Sequence, residues 1–176
     1  MTEDLKRAVW RYADGHPDGL VETPIPGIQL MRVHAPSGLM RSMYHPVLCL
    51  VLQGAKDVMA GPTLHQFAAG QTLVVGVDQP IVGRIVRATA AEPYLALALD
   101  LDMGVIRDVM GHVAEPPGAP PHHDAVFTED TRDAVADCAL RLMRLLDRPA
   151  GVPVLLPSIV REMHYWLLAG WHGAAL

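Results

Sequence analysis

Basic charge is in short supply in this sequence: 14 lysines and arginines stand against 19 aspartates and glutamates, a formal net charge of −5. A domain that holds nucleic acid on its own surface carries a basic surplus, so the balance argues against direct DNA binding by these residues. Cysteine is scarce as well. Cys49 and Cys138 sit in apolar stretches at a spacing that fits neither a zinc pattern nor a disulfide framework. They read as reduced, buried thiols of a cytoplasmic protein. Long hydrophobic runs are missing, the longest falling far short of the roughly 20 residues that cross a bilayer, so no membrane partner is expected. The start, Met1-Thr2-Glu3-Asp4-Leu5, is acidic and has no apolar signal core. Gly-x-Ser-x-Gly, His-Glu-x-x-His and the P-loop pattern do not occur, which removes familiar hydrolase, metalloprotease and nucleotide-binding signatures.

What is present suits one domain, or one domain with a modest appendage. The chain has 176 residues, of which 51% are hydrophobic and 19% charged, too apolar for a disordered chain and long enough for a sizeable core. Residues 3–14 place Leu5, Val9 and Tyr12 at helical spacing, and Asp14-Gly15-His16-Pro17-Asp18-Gly19 ends that helix. From 21 to 102 the texture changes to short apolar runs divided by Gly and Pro: 28–33, 47–53, 56–60, 64–67, 73–77, 81–86 and 94–101. Strands at this regular spacing predict a sandwich or barrel, and the lack of long intervening helices disfavours a parallel sheet.

From 103 to 176 helices take over. Asp102 caps a helix closed by Gly111. Thr128-Glu129-Asp130 is expected to open a long helix with Val135, Cys138, Leu142, Leu145 and Leu146 on its face. A last helix runs over 155–169, with Pro157 confined to its first turn. The organisation predicted is therefore an N-terminal helix and turn over 1–20, a β-domain over 21–102 and a helical segment over 103–176. The last helix is apolar on more than one side, which calls for a second burial partner.

Several polar groups have both a functional and an ordinary reading. His122-His123-Asp124 has the look of a metal clip, but it lies in a Pro-rich loop and supplies too few rigid donors. His45, between Tyr44 and Pro46 at the head of the strongest strand, is either a polar anchor inside a pocket or a strand-end histidine bonded to backbone. Arg41 is a carboxylate anchor if it points inward and a solvated side chain if it does not. Met31, Met40, Met43 and Met59 suit an adaptable ligand cavity or an ordinary core.

The stretch from Val47 to Gly54, followed by Phe67-Ala68-Ala69-Gly70-Gln71-Thr72-Leu73-Val74-Val75, resembles a cupin barrel. Cupin enzymes carry a metal on two motifs with fixed glycine, histidine and glutamate spacing. Anchoring the first motif on Gly54 puts its glutamate at Val47 and its histidines at Arg41 and Met43, or at Met40 and Ser42 with the longer gap. Anchoring the second on Gly70 puts its histidine at Ile81. None of these is a usual ligand, so no metal and no cofactor is expected.

A longer match narrows the resemblance. Tyr44-His45-Pro46-Val47-Leu48-Cys49-Leu50-Val51-Leu52-Gln53-Gly54-Ala55-Lys56, then Gly76-Val77-Asp78-Gln79-Pro80, then Glu92-Pro93-Tyr94 through Asp102, then Arg161-Glu162-Met163-His164-Tyr165-Trp166-Leu167-Leu168-Ala169-Gly170, is similar in order and content to the N-terminal effector and dimerisation domain of AraC-type transcriptional regulators. The resemblance spans roughly 23–176. It implies a cupin-like double-stranded β-barrel followed by an antiparallel helix pair, mainly β with α. It also implies a small-molecule effector in the barrel, a homodimer formed by the helices, and DNA contact only through a C-terminal helix-turn-helix domain that this chain lacks. Placing the cupin ligand positions on the inward face gives Arg41, Met43, His45, Val47, Cys49 and Val51 as ligand-binding residues, with Leu48, Leu50 and Leu52 facing the helices. The expected effector is small, apolar or aromatic, with a carboxylate if Arg41 points inward. Leu142, Leu145, Met163 and Trp166 are the expected dimer contacts, and no catalytic residue is assigned. The competing readings are a cupin enzyme acting on a small molecule, and a sensor working through protein contacts alone.

Overall fold

The computed structural model describes residues 2–112 and 125–170. Helix α1 (Thr2–Ala13) precedes nine strands: β1 (Gly19–Glu22), β2 (Ile28–Val33), β3 (Met40–Tyr44), β4 (Val47–Gln53), β5 (Ala55–Ala60), β6 (Thr63–Ala68), β7 (Gln71–Val75), β8 (Gln79–Arg87) and β9 (Tyr94–Asp100). Helix α2 (Met103–Met110), strand β10 (Val126–Asp130), helix α3 (Asp133–Leu145), a single 3-10 turn (Pro149–Gly151) and helix α4 (Val152–Leu168) follow.

The strands form two antiparallel sheets, one of six in the order β1-β2-β9-β4-β7-β10 and one of four in the order β3-β8-β5-β6. The chain switches sheet at nearly every connection after β2. The result is the expected cupin-like, jelly-roll arrangement with the helices behind it, although the two sheets are not hydrogen-bonded into one closed barrel.

Alternation along the strands builds two cores from one sheet. Leu48, Leu50 and Leu52 of β4, with Leu95, Leu97 and Leu99 of β9, point to the helical side. There they pack with Leu5 and Val9 of α1, Val135, Cys138 and Leu142 of α3, and Met163 and Leu167 of α4. Burying each such leucine contributes about 2 kcal/mol. Val51, Leu73, Val75, Tyr94 and Ala96 on the opposite face meet Val58, Ala60, Phe67, Ile81 and Ile85, which belong to β5, β6 and β8. The molecule is thus three layers: helices, six-stranded sheet, four-stranded sheet.

Gly54 makes the crossing from the first sheet to the second. Its φ is +82°, and a Cβ there would stand 2.4 Å from the Arg87 carbonyl oxygen and 3.0 Å from the Tyr94 Cα. Only glycine satisfies both the dihedral and the space. The backbone around it is stitched by Ala69 N–H to Gly54 O at 3.1 Å and Gly70 N–H to Val51 O at 3.0 Å.

Three departures from the sequence reading have local causes. Thr128-Glu129-Asp130 does not open a helix but ends β10, paired with Leu73, Thr72 and Gln71 of β7. The Thr72 and Thr131 hydroxyls are 2.7 Å apart, and the helix begins only at Asp133. The β-form of Val126-Phe127-Thr128 outweighs the acidic helix-start signal because a sheet edge is available to it. β1 and β3 were not anticipated; both are short and flank irregular connections. α4 begins at Val152, so Pro157 lies inside the helix instead of in its first turn. Asp102, by contrast, caps α2 as expected, its carboxylate accepting from Gly104 N–H at 2.8 Å and Val105 N–H at 3.1 Å.

Candidate functional site

At one end of the sandwich the two sheets part and enclose a cavity of about 420 Å³. The six-stranded sheet supplies a floor of modest side chains, including Met31 of β2, Val47 and Cys49 of β4, and Ala96 and Ala98 of β9. Small residues at 49, 96 and 98 leave the room that Leu or Phe would fill. The four-stranded sheet supplies the facing wall: Ser42 and Tyr44 of β3, Lys56 of β5 and Phe67 of β6. Met43, His45, Leu20 and Asp100 also border the cavity, and all four are exposed residues.

Strand parity explains the wall. Val58 and Ala60 of β5 lie in the inter-sheet core, so Lys56, two residues earlier, projects the same way. It is 7% exposed, and its ammonium donates to the Tyr44 hydroxyl at 2.9 Å and lies 5.7 Å from that ring's centre. Asp57 projects outward and pairs with Arg84 at 3.0 Å. On β8, Gly83 lies opposite Val58, and a Cβ there would meet the Lys56 Cε at 3.2 Å, so the lysine stem occupies space left by that glycine.

Cys49 is a free thiol pushed up to about 11 by burial, with Lys56 pulling against that and Asp100 adding to it. It stays protonated at neutral pH and is no nucleophile. Burial likewise pushes the Tyr94 phenol well above 10. Cys138, on the buried face of α3, is also raised to about 11, by burial first and Glu162 second.

The residues picked from sequence fall into distinct places. Met43, His45, Val47 and Cys49 border the cavity. Val51 continues the same strand face deeper, inside the core between the sheets. Arg41 is exposed, pairs in register with Val82, and is not on the cavity wall. The single inward face drawn through Arg41, Met43, His45 and Val47 breaks at the β3–β4 connection, because β3 belongs to the other sheet. On β3 the residues packed against the core are Met40 and Tyr44. His45 bonds neither backbone nor pocket interior; its Nδ1 lies 3.0 Å from the Asp78 carboxylate, and its side chain is 72% exposed. Met31 lines the cavity, Met40 packs on the core and Met59 is exposed.

Leu142, Leu145 and Met163 are buried in the chain's own helical core and present no surface to a second copy; Trp166 keeps partial exposure. The sequence reading missed the role of Lys56 and Tyr44, which it quoted only as part of the family-like segment. The signal was the two-residue step from Lys56 to Val58 and Ala60, legible once β5 is known to face β4.

No group of three His, Cys, Asp or Glu residues converges among the described residues. His122-His123-Asp124 lies outside them. The cupin ligand positions hold Val47 and Ile81, which offer no donor, Arg41, a cation off the cavity wall, and Met43, a thioether on its border. The donor set does not fit a cupin metal. No helix among the described residues is long and apolar enough to cross a membrane.

The fold is thus a two-sheet cupin-like shell holding a chamber and backed by packed helices. The chain belongs to the family described as AraC-type transcriptional regulator N-terminus, which matches residues 24–175. Among solved structures it is similar to apo ToxT K231A from Vibrio cholerae strain SCE256, with 3% identity and a TM-score of 0.52 over 86% of this chain and 56% of that one. Unsaturated fatty acid-bound wild-type ToxT from the same strain gives 6% identity and a TM-score of 0.49 over 85% and 53%. A protein of unknown function from Rhizobium leguminosarum bv. viciae 3841 gives 14% and 0.40 over 57% and 92%. The chain thus spans about half the length of the ToxT structures. No curated protein sequence gives a significant match.

Proposed function

We propose that this chain is the effector-sensing and self-associating part of an AraC-type regulator. The observation that carries the reading is the cavity of about 420 Å³ between the sheets, bordered mainly by apolar side chains with a few polar groups. That is the size and character of a small-molecule site. The occupant is a small, mostly apolar metabolite.

Sensing is favoured over catalysis because the one thiol on the wall is held protonated and the nearby His45 imidazole is taken up by Asp78 at an exposed position. No nucleophile–base–orienter set converges on the chamber among the described residues.

The fold also supports a route from chamber to helices. β9 carries Ala96 and Ala98 on the chamber floor and leads into Asp102, whose backbone N–H is bonded to His164 of α4. A ligand that binds one setting of β9 better than another biases the helix pair accordingly. Along α4, Val154, Leu155 and Tyr165 are exposed, and 154 and 165 lie three helical turns apart on one face. This stripe is where a second copy would pack. In this reading DNA contact belongs to a helix-turn-helix segment outside these 176 residues.

Titration with the neutral dye Nile red, followed by displacement with small metabolites and a thermal-shift readout, tests the reading. Uptake and displacement are expected, with a stabilisation of about 2.7 kcal/mol at a hundredfold excess over Kd. No dye uptake and no stabilising compound would overturn it.

A further inference from the structure

Lys56 is a buried cation short of a counter-ion. Its ammonium has three donors, of which one goes to the Tyr44 hydroxyl at 2.9 Å. Among the described residues no carboxylate lies within 4.0 Å of it. Asp100, the one carboxylate among the described residues that border the chamber, is exposed and forms no ion pair with it. Buried charges in folded proteins are paired or hydrogen-bonded on most of their donors. This one faces a chamber whose other walls are mainly apolar, and among the described residues nothing else completes it.

Resting on the chamber being an effector site, we infer that Lys56 and Tyr44 form the anchor for a carboxylate, and that the effector class is a small monocarboxylate with an apolar body. The Tyr44 oxygen accepts from Lys56, so its own O–H remains available as a donor, as do the two unused ammonium N–H groups. The ammonium and the hydroxyl stand 2.9 Å apart beside the chamber, so between them they offer enough donors for the lone pairs of a single carboxylate. A phosphate dianion would bring twice the charge that one lysine offsets. The apolar body lies along the floor of Met31, Val47, Cys49, Ala96 and Ala98. Gly83 is part of the device: its missing side chain lets the lysine stem pass.

The test uses matched acid and amide probes, 3-phenylpropionate against 3-phenylpropanamide and octanoate against octanamide, by calorimetry and by Nile red displacement at neutral pH. The acids are expected to bind the unaltered chain about tenfold or more tightly than the amides. Lys56→Met keeps the stem and removes the charge; the acid–amide gap closes, and the ligand-free protein melts no lower. Tyr44→Phe keeps the ring, lowers acid affinity by about three- to fivefold and leaves amide binding unchanged. It carries the test alone if Lys56→Met does not fold. Nile red uptake with acid and amide bound equally, or not at all, overturns the anchor and leaves the chamber reading standing. No Nile red uptake overturns the chamber reading and the anchor with it.

Discussion

The imidazole Nε2 of His164, on α4, accepts the backbone N–H of Asp102 at 3.0 Å. With Nε2 as acceptor the neutral ring carries its proton on Nδ1, which donates to the Val160 carbonyl oxygen at 2.7 Å. A fully buried histidine thereby joins the last helix to the point where β9 becomes α2.

Burial is the largest influence on His164 and pushes its pKa below 6.5, against the opposing pull of the Val160 bond and Asp102. The unfolded chain takes up a proton near pH 6.5 that the folded chain resists. The stability tied to this group is complete above that pH and is lost as pH falls through the lowered folded value. A melting temperature that declines between about pH 7 and 5, with a flatter decline in His164→Gln, is expected. The carboxylates of Glu162 and Asp108, held low chiefly by their hydrogen bonds to Arg141 and Arg161, act at lower pH, below their ordinary values of 4.5 and 3.8. An unchanged slope in His164→Gln would sink the assignment.

Gly54→Ala is expected to cost about 3 kcal/mol or more, because the new methyl meets a backbone carbonyl that cannot turn aside. Gly70 also has a positive φ, +88°, but a Cβ there meets nothing within 4 Å. Gly70→Ala therefore costs only the dihedral penalty, about 1–2 kcal/mol. Denaturant melts of the two variants should rank in that order.

Filling the chamber should separate binding from folding. Ala98 borders the cavity from β9 and is only half-buried, so Ala98→Phe has room to enter it. The variant is expected to fold with a melting temperature within a few degrees of the parent and to lose Nile red uptake. Retained uptake would place the bound dye elsewhere.

Self-association, if it uses the exposed stripe of α4, responds to that stripe and not to the buried face. Val154→Asp with Tyr165→Asp should give a monomer in sedimentation velocity with an unchanged melt, since both side chains are exposed. Leu142→Ala, at 0% exposure, should destabilise by about 2–5 kcal/mol as a core cavity does. A parent chain already monomeric at high concentration contradicts the dimer.

Much of the fold was legible because it is written in local periodicity. The two-residue step sends Leu48, Leu50 and Leu52 to the helices and Val47, Cys49 and Val51 to the other sheet. Gly54 marks the crossing, and Asp102 announces its own helix. These are contacts between near neighbours or backbone demands of one residue, and a linear reading sees them. The family-like segments are legible for the same reason.

What only the tertiary structure decided is which face of which strand meets which sheet. Parity restarts wherever the chain changes sheet, so the switch between β3 and β4 turned Arg41 out and Tyr44 in, and the pairing of β5 with β8 brought Lys56 beside that hydroxyl. The same holds for β10, whose strand form depends on an edge offered by β7 more than fifty residues earlier. It holds also for Leu142, Leu145 and Met163, which packing within the chain had already claimed. Periodicity fixes that a residue has a face; only the long-range pairing of sheets and helices fixes what that face meets.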